Sequence, residues 1–272
     1  MKIGLVGYQG GGKSVIFELL TGAKPDIAKA HSGQVAEAIV PDDRYDRLVA
    51  HHNPKKEVPA KIQVFDTPGL SRDQQDANAQ KLGIIREAQV LVHVVGMFAG
   101  ADAVSDAAAF EDDLVLADLQ VVNNRAERLK KDVTKPRPDR EELQKELEAI
   151  TPVVQCLENG QPVRVLELNE LQEKMMRSFS LLTIKPQLLV LNTADSEVDQ
   201  SVVEKLESEG HRVVAAPFGL ELELSALPDE ERTEFASEMG LGEPSRNRLL
   251  RSIFEVTDQI TFYTSGEKEV HA

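Results

Sequence analysis

The sequence predicts an α/β protein built on a doubly wound, mostly parallel sheet with a helical insertion. Three observations carry that expectation. Short apolar runs at 3–6, 62–65, 90–95, 188–191 and 212–215 are each bounded by polar or turn residues, as buried parallel strands are. Helical patterns lie between most of them, the alternation of layered α/β folds. The stretch 114–185 breaks that rhythm and is too long for an ordinary crossover.

Taken in order, the strand at 3–6 runs into a glycine turn, and a helical pattern opens over 14–20. A further strand at 34–40 is placed at the sheet edge. Within the interruption, 114–131 reads as one amphipathic helix with Leu116, Leu119, Val122, Ala126 and Leu129 on its stripe. Pro136 and Pro138 break the chain, and helices follow over 140–159 and 167–180. Beyond the last strand, helices are expected over 229–239, between Pro228 and Gly240, and over 245–256. The tail, 259–272, carries the alternating Ile260-Thr-Phe-Tyr-Thr. The division that results is a core of 1–113 and 186–258, a coiled-coil-like insertion of 114–185, and the tail.

Composition narrows the function classes. The net charge is −15, from 31 Lys plus Arg against 46 Asp plus Glu, a field that repels phosphate backbones. DNA is therefore not an expected partner, and only the local basic cluster at 125–140 suits RNA. Without tryptophan and with few other aromatics, there is little on which single-stranded bases could stack. The lone Cys156 permits no internal disulfide, in keeping with a reducing cytoplasm, and reads as a small hydrophobe. No apolar run approaches membrane-spanning length, so no membrane partner is expected and the cytoplasm is the expected location.

Gly7-Tyr-Gln-Gly-Gly-Gly12-Lys13-Ser14 fits G-x-x-x-x-G-K-[ST], in the strand–loop–helix context that this motif requires. Gly10, Gly11 and Gly12 let backbone amides curl around phosphates, and the N–H groups of the helix start, through Val15, favour negative charge. Lys13 should reach the β- and γ-phosphates while the Ser14 hydroxyl holds Mg²⁺. Asp66-Thr-Pro-Gly69 follows the second parallel strand, which places Asp66 as a magnesium residue and the Gly69 amide at the γ-phosphate. Asn192-Thr-Ala-Asp195 follows a later strand, where Asp195 can read guanine although Thr193 stands in place of the usual lysine. His93 within a strand reads as a core histidine. His51 and His52 are expected in a loop and make a weak metal signal.

With these motifs in order, the chain resembles the YchF (Ola-type) subfamily of Obg-related P-loop GTPases. Pro41-Asp-Asp-Arg-Tyr-Asp-Arg-Leu48, Asn53-Pro-Lys-Lys-Glu-Val-Pro-Ala60, Ile85-Arg-Glu-Ala-Gln-Val-Leu-Val-His-Val-Val95, Asp113-Leu-Val-Leu-Ala-Asp-Leu119, Lys185-Pro-Gln-Leu-Leu-Val-Leu-Asn192 and Ile260-Thr-Phe-Tyr-Thr-Ser-Gly-Glu-Lys-Glu-Val270 continue the likeness along nearly the whole chain. The resemblance implies a G domain with an inserted helical domain, and a C-terminal TGS domain of which 259–272 would be only the start. It implies a Mg²⁺-dependent nucleoside triphosphatase with GTP favoured, ATP as the other nucleotide, and the ribosome or its RNA as partner.

Four departures bear on the chemistry. Gln9-Gly10-Gly11 stands where the family usually has Pro-Asn-Val. The switch-I threonine has no clear equivalent in 29–35, Ser32 being the nearest hydroxyl. Pro217-Phe-Gly219 replaces Ser-Ala-Lys. Asp195 stands where many members carry Glu. After Gly69, where Ras-like proteins carry glutamine, the chain has Leu70, as the resemblance implies, so slow turnover is expected. The alternative is a scaffold whose nucleotide site no longer hydrolyses. A P-loop kinase reading has no compact arginine-rich lid to support it.

Overall fold

Runs of Val, Ile and Leu favour extended backbone, and they become the strands of the computed structural model, which describes residues 1–72, 75–98, 100–195 and 197–272. In chain order the strands are β1 (Lys2–Val6), β2 (Gln34–Ile39), β3 (Lys56–Val58), β4 (Lys61–Asp66), β5 (Val90–Met97), β6 (Gln187–Thr193), β7 (Val213–Ala216), β8 (Thr264–Ser265) and β9 (Glu269–His271). Six of them form one sheet in the order β2-β4-β1-β5-β6-β7. All neighbours are parallel except β2, which pairs antiparallel at the edge beside β4. The chain leaves β1 towards β4 on one side and β5 on the other. Their carboxyl ends therefore open a crevice at the point where doubly wound sheets bind ligands.

Both faces of this sheet are covered. Ile3 and Leu5 of β1 join Val92 and Val94 of β5 in one apolar layer, under α1 (Lys13–Thr21), α8 (Phe218–Ser225) and α10 (Ser245–Val256). Val6 and Leu91 point the other way, towards α3 (Gln75–Ile85) and α4 (Ala103–Asp132). The remaining helices are α2 (Asp43–His52), α5 (Arg140–Glu158), α6 (Glu170–Phe179), α7 (Gln200–Ser208) and α9 (Asp229–Glu238).

The main difference from the sequence expectation is α4. It is one helix of 30 residues starting at Ala103 rather than near 114, with the Asp102 carboxylate capping Ser105 N. Its first turns present Ala103, Ala107 and Phe110, a weakly hydrophobic stripe that periodicity alone undervalues. A boundary at 113/114 thus falls inside a continuous helix. Phe110 and Leu114 pack with the sheet, whereas Val122 and Leu129 pack with Ile150, Val153 and Met176 of α5 and α6 in a separate helical arm.

Where arm meets sheet, the Asp118 carboxylate is fully buried and satisfied. It accepts from Thr183 N and Oγ1 at 2.8 Å each and from Arg86 Nη1 at 2.7 Å. Arg86 also donates to Ser180 O, and Lys185 Nζ sits on the carbonyls of Arg86 and Ala88.

Two further expectations change. His51 and His52 form the last turn of α2 instead of a loop, edge-to-face at 4.8 Å. The tail folds back, with β9 parallel to β3 and antiparallel to β8, and with Val270 buried. Among the described residues no helix is long and apolar enough to cross a membrane.

Candidate nucleotide site

At the carboxyl end of β1 the chain turns through glycines with left-handed φ, 86° at Gly10 and 96° at Gly12. Gly12 is required twice over. Besides its φ, a Cβ there would lie 2.0 Å from Asn192 Nδ2. Asn192, at the end of β6, donates from that nitrogen to Gly11 O at 3.3 Å, which ties the turn to a distant strand. The ladder of α1 opens with Ile16 N bonding Gly12 O at 3.2 Å, so the amides of Lys13, Ser14 and Val15 precede it, at the positive end of the helix. The Val15 side chain packs against the sheet layer.

Lys13 is only 7% exposed. Its ammonium donates to Tyr8 O at 2.7 Å and Gly7 O at 3.3 Å. Burial pushes its pKa down to about 8, opposed by the nearby Asp66 carboxylate. Ser14 Oγ donates to Asp66 Oδ2 at 2.7 Å. The other oxygen, Asp66 Oδ1, is buried with no hydrogen-bond partner. Burial raises the pKa of this carboxyl, while the Ser14 hydroxyl and Lys13 oppose the rise. An orphaned carboxylate oxygen beside a hydroxyl is a donor set that fits Mg²⁺, which takes oxygen ligands and keeps several waters. Among the described residues no group of three or more His, Cys, Asp or Glu side chains is positioned for a metal.

Gly69 lies against the lysine, since a Cβ on it would come 2.8 Å from Lys13 Nζ. Next to it Leu70 is fully buried with Tyr8, Ile85 and Phe110, and its backbone is tied to Gly7 O and Gln9 N at 3.1 and 3.0 Å. The structure thus brings Gly11, Gly12, Lys13, Ser14, Asp66, Gly69 and Asn192 together. Asp195 is exposed, and its Oδ1 accepts from Glu197 N in its own loop. Thr193 spends its hydroxyl on Asp195 O. Ser32 is exposed in a turn before β2. Pro217 caps α8 and Phe218 is fully buried. His93 is buried and stacked on Phe110 at 4.1 Å, with its pKa pushed down to about 3 by burial, which keeps it neutral. Cys156 is buried near Gln161 O, and burial pushes its thiol up.

The sequence marks Gln9 only as a departure from the family pattern, and gives no role to Tyr8 or Arg72. Tyr8 Oη donates to Asp113 of α4 at 2.9 Å, and Arg72, ion-paired with Asp106 of α4, lies 5.0 Å from the Tyr8 ring. The Gln9 side chain leans over Gly69. No pattern along the chain marks these contacts. The basic cluster at 125–140 is largely neutralised within the arm: Arg125 forks onto Glu146 at 2.6 Å, and Lys130, Lys135 and Arg137 each pair with an acidic neighbour.

A glycine turn over a buried lysine, at the switch point of a parallel sheet, defines a P-loop nucleotide-binding protein. The sequence profile of the 50S ribosome-binding GTPase family matches residues 2–158, and the chain belongs to that family, as a member of the YchF type. It is 29% identical over 296 residues to "Ribosome-binding ATPase YchF" of Bacillus subtilis (strain 168), covering 100% of this chain and 80% of the relative. It is likewise 29% identical over 295 residues to the protein of that name in Escherichia coli O157:H7, with the same coverage. Among solved structures, the Schizosaccharomyces pombe YchF GTPase shares the fold with a TM-score of 0.84 at 24% identity, over 100% of this chain and 79% of that one.

Proposed function

We propose that the chain binds a purine nucleoside triphosphate with Mg²⁺, hydrolyses it slowly, and acts in the cytoplasm as a switch on the ribosome. The observation that carries this is the Ser14–Asp66 pair, with its orphaned carboxylate oxygen, beside the buried Lys13. Amides from Gly10 through Val15 cradle the phosphates, and Lys13 takes the β- and γ-phosphate oxygens. Ser14 and Asp66 hold the ion, which when bound neutralises charge on those oxygens. The Gly69 amide serves the γ-phosphate. The burial of Leu70 leaves no side chain there to orient water, which favours slow turnover. Ribosome association is proposed from the names of the relatives.

GTP is the favoured nucleotide. The Asp195 carboxylate offers two acceptors to the N1–H and exocyclic amine of guanine, where adenine has a bare ring nitrogen. ATP is the alternative, consistent with the ATPase naming of the bacterial relatives.

Calorimetry with GTP and ATP, with and without Mg²⁺, tests the reading. Binding should need the ion, and Lys13→Ala should cost about 100-fold in affinity, the loss of two charge-assisted hydrogen bonds. Binding without phosphate release would favour the scaffold reading. Affinity left untouched by Lys13→Ala would sink the site.

A further inference from the structure

Hydrolysis needs a polar group to hold the attacking water, and the residue after Gly69 does not supply it, because the Leu70 side chain is sealed in the core. His93 is buried and stacked, and Arg72 is ion-paired with α4. Gln9 remains. It is exposed, in the segment where this chain departs from the Pro-Asn-Val of the family it resembles. Its backbone N–H is pinned to Leu70 O at 3.0 Å, which fixes the origin of the side chain. A Cβ on Gly69 would come 3.0 Å from Gln9 Cγ and 2.8 Å from Lys13 Nζ, so the glutamine stem and the lysine ammonium border the same point above Gly69. Gln9 Nε2 is 3.5 Å from Gly69 O, on the residue whose amide is assigned to the γ-phosphate above.

We propose that Gln9 is a catalytic residue, its carboxamide orienting the attacking water. This rests on the triphosphatase reading of the same site. The Oε1 atom accepts a hydrogen from the water while Nε2 donates to a γ-phosphate oxygen. Water oxygen attacks the γ-phosphorus and the bond to the β–γ bridging oxygen breaks. The bonding pair stays with the nucleoside diphosphate, and both water hydrogens leave on the released phosphate as H₂PO₄⁻. Glutamine is unchanged, so it needs no shifted pKa. A residue that reaches the water from the phosphate loop itself substitutes for one held on the segment after Gly69.

The test is single-turnover phosphate release from the full chain with GTP or ATP and Mg²⁺, beside calorimetric affinities for the same nucleotide. Gln9→Ala, a change at an exposed position, should lower the rate about 100-fold, as loss of one aimed donor does, with affinity within about threefold. Gln9→Glu, which keeps the acceptor and loses the donor, should also be slow and should weaken the triphosphate relative to the diphosphate. An Ala variant that turns over at the unmodified rate would overturn the proposal. So would a fall in affinity as large as the fall in rate, which would make Gln9 a binding residue. Tight binding without any turnover in the unmodified chain would overturn it and leave nucleotide binding standing, whereas no binding at all would remove both readings.

Discussion

Gly12 shows how tightly single residues are specified around the loop. Its φ of 96° and the Asn192 amide that would lie 2.0 Å from a Cβ exclude any side chain. Gly12→Ala should keep the fold and weaken nucleotide affinity about 10- to 100-fold, from strain of about 1–3 kcal/mol placed where Asn192 meets Gly11. Circular dichroism together with calorimetry checks this, and unchanged affinity would count against the loop geometry. At this scale the sequence was informative wherever chemistry is local. Lys13 and Ser14 sit at fixed offsets from the glycines, and Asp66 ends a strand that its own apolar residues announce. Contacts that join distant segments, such as Gln9 over Gly69 or Tyr8 with Asp113, leave no periodic trace and emerge only once the strands are stacked.

Among the elements, the junction of arm and sheet depends on one buried carboxylate. Asp118→Ala would take the counter-charge from the Arg86 guanidinium and the acceptor from two Thr183 donors, and should cost about 3–5 kcal/mol in urea unfolding. The isosteric Asp118→Asn should cost less. Lys185 nearby should leave a pH signature. Burial and the adjacent Arg86 push its pKa down to about 8, with Asp118 opposing. Between about 8 and the ordinary lysine value the unfolded chain binds more protons than the folded one, so stability should rise with pH across that window. Below it, both states are charged and the cost of burial is fully present. Lys185→Met should flatten this rise in denaturation curves taken at pH 7, 8, 9 and 10. The elements that the sequence missed or shortened are instructive for the same reason. The start of α4 is alanine-rich, α8 alternates Leu and Glu from Leu220 to Leu224 as a strand would, and β9 is three residues long. None shows the apolar period of its own element type clearly enough to stand out before its packing partner is known.

Over the whole molecule, the apolar residues divide into the layers that cover the sheet and a separate cluster inside the arm. Leu129 belongs wholly to the latter. Leu129→Ala should lower stability by about 2–5 kcal/mol while nucleotide affinity stays put, since the arm cluster shares no residue with the loop. A thermal scan paired with calorimetry decides this, and a lost affinity would mean that arm and site unfold as one unit. The doubly wound architecture was legible because contiguous buried runs repeat along the chain. The division of α4 between two packing environments was not, because nothing in a continuous helix marks where its partner changes.

That shared helix is also a mechanical object. Its 30 residues make a rod of about 45 Å, seated at one end beside Tyr8 and Arg72. From Asp113 to the end of the helix at Asp132 is about 28 Å, so each degree of rotation at the seat swings that tip by about 0.5 Å, and a slight displacement beside the sheet is magnified at the distal end of the arm.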